Sequence, residues 1–148
     1  MDKKEVLHYI IGELKAKQLF LERELKALSE SLGNSAKSSA GDKHETDTAM
    51  NQLEQEQLTR QLRALQSQQQ VVYQLNPEIK HTRITTGSLL KTSKAQFFIS
   101  VGIGKIKFQE NEILCINLQS PAGQQFHLKS IGDVVRIGNE EHEILELS

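Results

Sequence analysis

The sequence predicts an α+β protein: an N-terminal antiparallel α-helical coiled-coil hairpin, then a small antiparallel β domain with one short helix. Three observations predict it. Leu14, Leu21 and Leu28 recur seven residues apart in a run without Pro, the spacing of an apolar seam on one helix face. A small, polar and acidic stretch, Gly33–Met50, separates that run from a second helix-compatible one. Beyond Asn76-Pro77 the helical spacing gives way to short β-branched and aromatic runs separated by glycines, the pattern of short strands.

Within residues 2–32 the apolar positions Leu7, Ile10 or Ile11, Leu14, Leu21, Leu25, Leu28 and Leu32 follow three- and four-residue spacing. Lys17 and Gln18 interrupt the seam, so loose packing is expected there. Gly33 is the expected C-terminal cap. The second run, residues 44–75, carries Met50, Leu53, Leu58, Leu62, Leu65, Val72 and Leu75 among many glutamines. Gln-rich segments can be disordered, but the Leu spacing and the helix propensity of Gln, Glu and Arg favour a solvated helix face. Asp42 or Thr46 is the expected N-cap. Two helices of roughly 30 residues, about 45 Å each at 1.5 Å per residue, pair most simply as an antiparallel coiled coil. Their turn, residues 33–50, is then held far from the rest of the chain. Asn76-Pro77 breaks the helix, giving expected domains of 1–76 and 77–148.

In the second half, Leu89-Leu90, Gln96–Val101, Ile113–Leu118, Asp133–Ile137 and His142–Leu147 read as five strands. Ser120 followed by Pro121 reads as the N-cap and first position of a short helix running to Leu128. The four phenylalanines Phe97, Phe98, Phe108 and Phe126 are expected in the core.

Composition narrows the function classes. The chain has 148 residues, 37% hydrophobic and 5% aromatic, with a net charge of −1. No global field draws it to nucleic acid or to a membrane surface. Residues 1–76 hold ten Lys or Arg and eleven Asp or Glu, a mixed solvated face that permits at most weak contact with RNA. The single cysteine, Cys115, excludes an internal disulfide framework. Its apolar neighbours make it a core residue rather than a nucleophile. No apolar run approaches the ~20 residues of a membrane span, and no signal-peptide pattern opens the chain. The expected location is cytoplasmic.

The carboxylates of the polar turn carry the chemistry. Asp42 and Glu45 are spaced i, i+3, which in a helix puts both on one face. Two hard oxygen donors on one surface suit Mg²⁺, which takes one or two protein carboxylates and keeps several waters. The same pair also reads as an ordinary capping-box-like helix start. His44, with Asp42 and Asp47, could be drawn as a metal site, but a solvated histidine is the simpler reading.

Several blocks of this sequence resemble the bacterial Gre transcript-cleavage factors, the GreA/GreB family of transcription elongation factors. They are SPAGQQFHLKSIGDVV (residues 120–135), the closing HEILEL, and Gly41-Asp42-Lys43-His44-Glu45, similar to the family's Gly-Asp-x-x-Glu. The resemblance spans nearly the whole chain. It implies an FKBP-like second domain; prolyl isomerase activity does not follow from it, because such a site needs an aromatic-lined pocket and Phe97, Phe98, Phe108 and Phe126 are needed for the core. It also implies a partner, bacterial RNA polymerase, whose secondary channel the hairpin would enter. Asp42 and Glu45 would then help hold a catalytic Mg shared with the polymerase, stimulating cleavage of backtracked RNA by two-metal chemistry. Asp47 is a further candidate. By the same resemblance, Ser120, Pro121, Ala122, Gly123 and Gln124 would dock on the channel rim. The chain would thus be no enzyme by itself. It would bind no cofactor stably, contact the nascent RNA 3′ end weakly, and engage neither DNA nor membrane.

The sequence also departs from the family. Where members run Asn-Ala-Glu-Tyr after the tip Glu, this chain has Thr46-Asp47-Thr48-Ala49. The Tyr is missing and Asp47 adds a third acid. Related factors occupy the same channel and inhibit the polymerase, so a channel-occupying regulator without cleavage is the alternative expectation. A coiled-coil adaptor unrelated to transcription is the third.

Overall fold

A computed structural model describes residues 1–35 and 41–148, leaving aside the side chains of Leu32, Asn34, Ser35 and residues 41–44. Two long helices, α1 (Lys3–Ser35) and α2 (Gly41–Gln74), precede six strands and one short helix. These are β1 (Leu89–Thr92), β2 (Gln96–Ile99), β3 (Gly104–Phe108), β4 (Asn111–Ile116), α3 (Pro121–Phe126), β5 (Val134–Ile137) and β6 (Glu140–Leu147). The expected α+β architecture is the observed one. By packing, the chain forms two compact units, Gly12–Gln70 and a second that joins Met1–Ile11 to Val71–Ser148. The sheet therefore shares its unit with the first turns of α1 and the last turn of α2.

The start of α1 groups with the end of α2, and Gln18 of α1 bonds Gln69 near the end of α2, so the helices run antiparallel. Leu14, Leu21 and Leu65 are buried, while Leu25, Leu28, Leu58 and Leu62 are half-buried. Each helix offers one narrow stripe, as an isolated pair must. The seam fades along α2: Met50 and Leu53 are 63% and 61% exposed, against the expectation that both belong to it. Gln18, where loose packing was expected, instead makes a specific contact. Gln69 Nε2 donates to Gln18 Oε1 at 2.9 Å, and Gln18 Nε2 donates to Glu22 Oε1 at 2.9 Å. Gln69 is itself buried, so a matched amide pair fills the gap in the leucine seam.

The helix ends also differ from expectation. α1 continues through Gly33 to Ser35 and α2 already begins at Gly41. Gly33 is thus an interior residue and no cap, and Asp42 and Thr46 lie inside α2 rather than at its N-cap. A polar, glycine-containing sequence stays helical here because several good helix formers on either side extend each helix by propagation, which is cheaper than starting a new one.

In the second unit the strand order is β3-β4-β2-β1-β6-β5. The sheet has six strands, not five, and is antiparallel except that β2 and β4 run parallel. β3 escapes sequence reading because Gly102 and Gly104 look like turn residues. Yet Lys105-Ile106-Lys107-Phe108 alternates, and Ile106 and Phe108 are the buried members. The β3–β4 hairpin folds back so that β4 inserts beside β2, in register from Gln96↔Ile113 to Ile99↔Ile116. One sheet face carries the cluster Ile84, Leu90, Phe97, Ile99, Phe126, Val135 and Ile144. Phe126 of α3 meets Phe97 at a ring-centroid distance of 4.9 Å. Elsewhere Tyr9 of α1 meets Phe108 edge-on at 5.5 Å. All four phenylalanines expected in the core are buried, and so is Cys115.

Candidate functional site

The sequence-predicted site residues fall into two groups, on α2 and on α3. Asp42 and Glu45 are the second and fifth residues of α2. Their i, i+3 spacing along a continuous helix gives them neighbouring positions on its surface. Glu45 and Asp47 are exposed; the Asp42 and His44 side chains lie outside the described residues. An acidic first turn is also favourable for the helix itself, since negative charge there meets the positive end of the peptide dipoles. Among the described residues no group of three or more His, Cys, Asp and Glu is arranged to hold a metal. The described carboxylates therefore form no cage of their own.

The start of α3 is built by a tight polar network. Asn117 carbonyl accepts from Ser120 N–H at 3.0 Å and from Ser120 Oγ at 2.7 Å. Ser120 Oγ then accepts from Gly123 N–H at 3.0 Å, the N-cap bond the sequence predicts, with Pro121 at the first helical position. Gln119 N–H donates to Asn117 Oδ1 at 2.9 Å, and Gln124 N–H donates to Ser120 carbonyl at 2.9 Å. Gly123 is buried against this turn: a Cβ there would stand 2.2 Å from Asn117 O and 2.6 Å from Leu118 O. Pro121 and Gln124 remain exposed, with Ser120 and Ala122 half-buried. The helix ends where Leu128 takes a left-handed conformation, φ +64. Sequence reading missed Asn117, which nucleates the turn, although an Asn three residues before a Ser-Pro is an Asx-turn signal.

A second polar constellation has the outline of a nucleophile, base and acid. Thr92 Oγ1 stands 2.8 Å from His142 Nδ1, and His142 Nε2 stands 3.7 Å from Glu140 Oε2. The hydroxyl is otherwise engaged. It accepts from Lys94 N–H and Ala95 N–H at 3.1 Å each, closing the β1–β2 turn. Thr92 and His142 are both buried, and the imidazole lies edge-on to Phe97 and Phe126. The arrangement ties a turn to the core and offers no attacking oxygen to a substrate. Cys115 is no nucleophile either: burial pushes its thiol up to about 12, and the thiolate is the reactive form.

No described helix is long and apolar enough to cross a membrane. No family model matches the chain, and no curated protein matches it. Among solved structures it is similar to GreA factor homolog 1 of Thermus thermophilus, with 14% identity and a TM-score of 0.37, over 93% of this chain and 94% of that one.

Proposed function

We propose that this protein is a Gre-like factor that binds bacterial RNA polymerase, presents the start of α2 to its active centre through the secondary channel, and stimulates cleavage of backtracked RNA. The observation that carries this reading is the position of the Gly-Asp-x-x-Glu motif. Gly41 opens α2, with Asp42 and Glu45 in its first two turns, immediately after the connection between two antiparallel helices. Carboxylates at the end of a helical hairpin are available to a partner in a way that carboxylates on its flanks are not. The donor set fits Mg²⁺, as two hard carboxylate donors, but is incomplete alone. Asp42 and Glu45 would hold the ion only together with ligands from the polymerase. Bound there, the ion would supply Lewis-acid activation of water and of the scissile phosphate. The α3 start, Ser120 to Gln124, offers the second docking surface, held rigid by its cap.

The test uses backtracked elongation complexes at saturating protein. The wild type is expected to release short 3′ RNA fragments. Asp42→Asn and Glu45→Gln are each expected to slow release by about tenfold or more, the scale of losing one charged contact in a transition state. Binding to the polymerase should survive both changes. Binding without any fragment release would instead favour a channel-occupying regulator. One observation favours that second reading: Asp47, absent from the family pattern, is exposed two residues beyond Glu45. A third carboxylate there changes the charge presented to the active centre.

A further inference from the structure

The Gln18–Gln69 bond fixes which turns of α1 and α2 meet. Stepping from Gln69 toward the start of α2 by alternate fours and threes gives Leu65, Leu62, Leu58, Gln55, Asn51 and Thr48. Leu65 is buried and the other five are half-buried, whereas Met50, Leu53, Glu54, Gln57 and Gln61, off that spacing, are exposed. The steps are those of a heptad seam, so these six residues are the ones that α2 turns toward α1.

The seam changes character at Leu58. From Leu65 to Leu58 it is leucine, and the register sets it against Leu21, Leu25 and Leu28 of α1, of which Leu21 is buried and the other two half-buried. Beyond Leu58 every α2 position of the seam is polar. Gln69 answers Gln18 with an amide bond. Among the described residues no hydrogen bond carries the Gln55 or Asn51 side chain to α1, and no ion pair joins the two helices. Thr59 Oγ1 donates to Gln55 carbonyl at 2.8 Å, a back-bond that weakens and bends a helix. The apolar residues at hand, Met50 and Leu53, stand exposed off the seam and do not close it. A half-buried carboxamide removes little apolar surface from water, and without a partner it gains no bond across the seam. A helix in a protein draws most of its stability from such packing, so these turns are held far less firmly than the leucine layers.

We propose that the hairpin is built in two parts that open separately: a base zipped as far as the Leu28 and Leu58 layer, and a distal part beyond it that parts and re-forms while the base stays closed. Sub-global opening of this kind follows where few apolar contacts are buried. Fraying differs from it, being confined to the terminal turn, whereas Leu58 lies about four turns inside α2, which starts at Gly41. Glu45 and Asp47, both exposed, ride on the distal part, so its opening moves them relative to the base. The two-part hairpin does not depend on the function proposed above.

Amide hydrogen exchange on the full chain tests it. Protection is expected to step at Leu58 on α2 and at Leu28 on α1. Residues 51–57 and 29–31 should exchange on the order of a hundredfold faster than residues 62–69 and 21–25, the scale of one pair of buried leucines. The double change Asn51→Leu with Gln55→Leu completes the seam and should slow exchange in both distal segments by about tenfold or more. Asn51→Ala with Gln55→Ala supplies helix propensity without filling the seam. It should slow residues 51–57 far less and leave residues 29–31 unchanged. Even protection along both helices, a step confined to the first turn of α2, or a leucine variant no slower to exchange than the alanine variant would overturn the two-part hairpin.

Discussion

Gly123 is a residue whose identity is fixed by space rather than by backbone angle. The turn from Asn117 to Ser120 brings two carbonyl oxygens to where a Cβ would sit, and carbonyls of a hydrogen-bonded turn cannot step aside. Gly123→Ala should therefore displace the start of α3 and cost about 2–3 kcal/mol, the scale of overpacking at a rigid site. Ser120→Ala leaves the space intact and removes only the cap bond, costing about 1 kcal/mol. Urea unfolding of both variants checks the ranking; a smaller loss for Gly123→Ala would mean the turn is more compliant than its bonds suggest. The Ser120 cap was legible in the sequence, because Ser-Pro before a helical run states its own chemistry. The Gly123 constraint was not, because the oxygens that impose it come from a turn whose shape no local pattern specifies.

At the scale of elements, the hairpin is held by a thin leucine stripe with one polar layer. The Gln18–Gln69 amide bond lies within that stripe. It fixes which residues face each other, since a slipped register would leave a buried amide unpaired. Gln69→Ala should lower hairpin stability by about 1 kcal/mol, read as a lower midpoint in the helical circular-dichroism melt. The double change Gln18→Leu with Gln69→Leu should raise the midpoint above that of Gln69→Ala, as apolar contact replaces the amide pair. A double variant no more stable than the single one would deny these positions a place in the seam. Leucine spacing made the two helices legible. It did not give their ends, because helix propagation carried both into the polar stretch, nor the fading of the seam at Met50 and Leu53. In the sheet, the alternation of β3 was legible but was hidden by its flanking glycines.

Across the whole molecule the charges nearly cancel, at −1 over 148 residues, so pH dependence rests on individual buried groups. Cys115 is one: its thiol stands at about 12 in the folded chain against an ordinary 9.0. A folded pKa raised in this way means the stabilisation is complete below pH 9 and is lost as pH rises toward 12. The alkaline loss should be shallower in Cys115→Val. The native thiol should also resist a thiol reagent at pH 8.5 that labels it readily in urea; rapid native labelling would contradict its burial. The sequence by itself determined the class of the fold, the two helices, most of the strands, the capped Ser120-Pro121 helix and the residues of its core. It did so because these follow from local periodicity and from residue types that state their own preferences. Only the tertiary structure decided the parallel β2–β4 pair, the Gln18–Gln69 contact and the helix ends that put Asp42 and Glu45 inside α2. Each of these depends on which distant segment comes to lie opposite, or on how far a helix propagates, and neither is written in the spacing of residues along the chain.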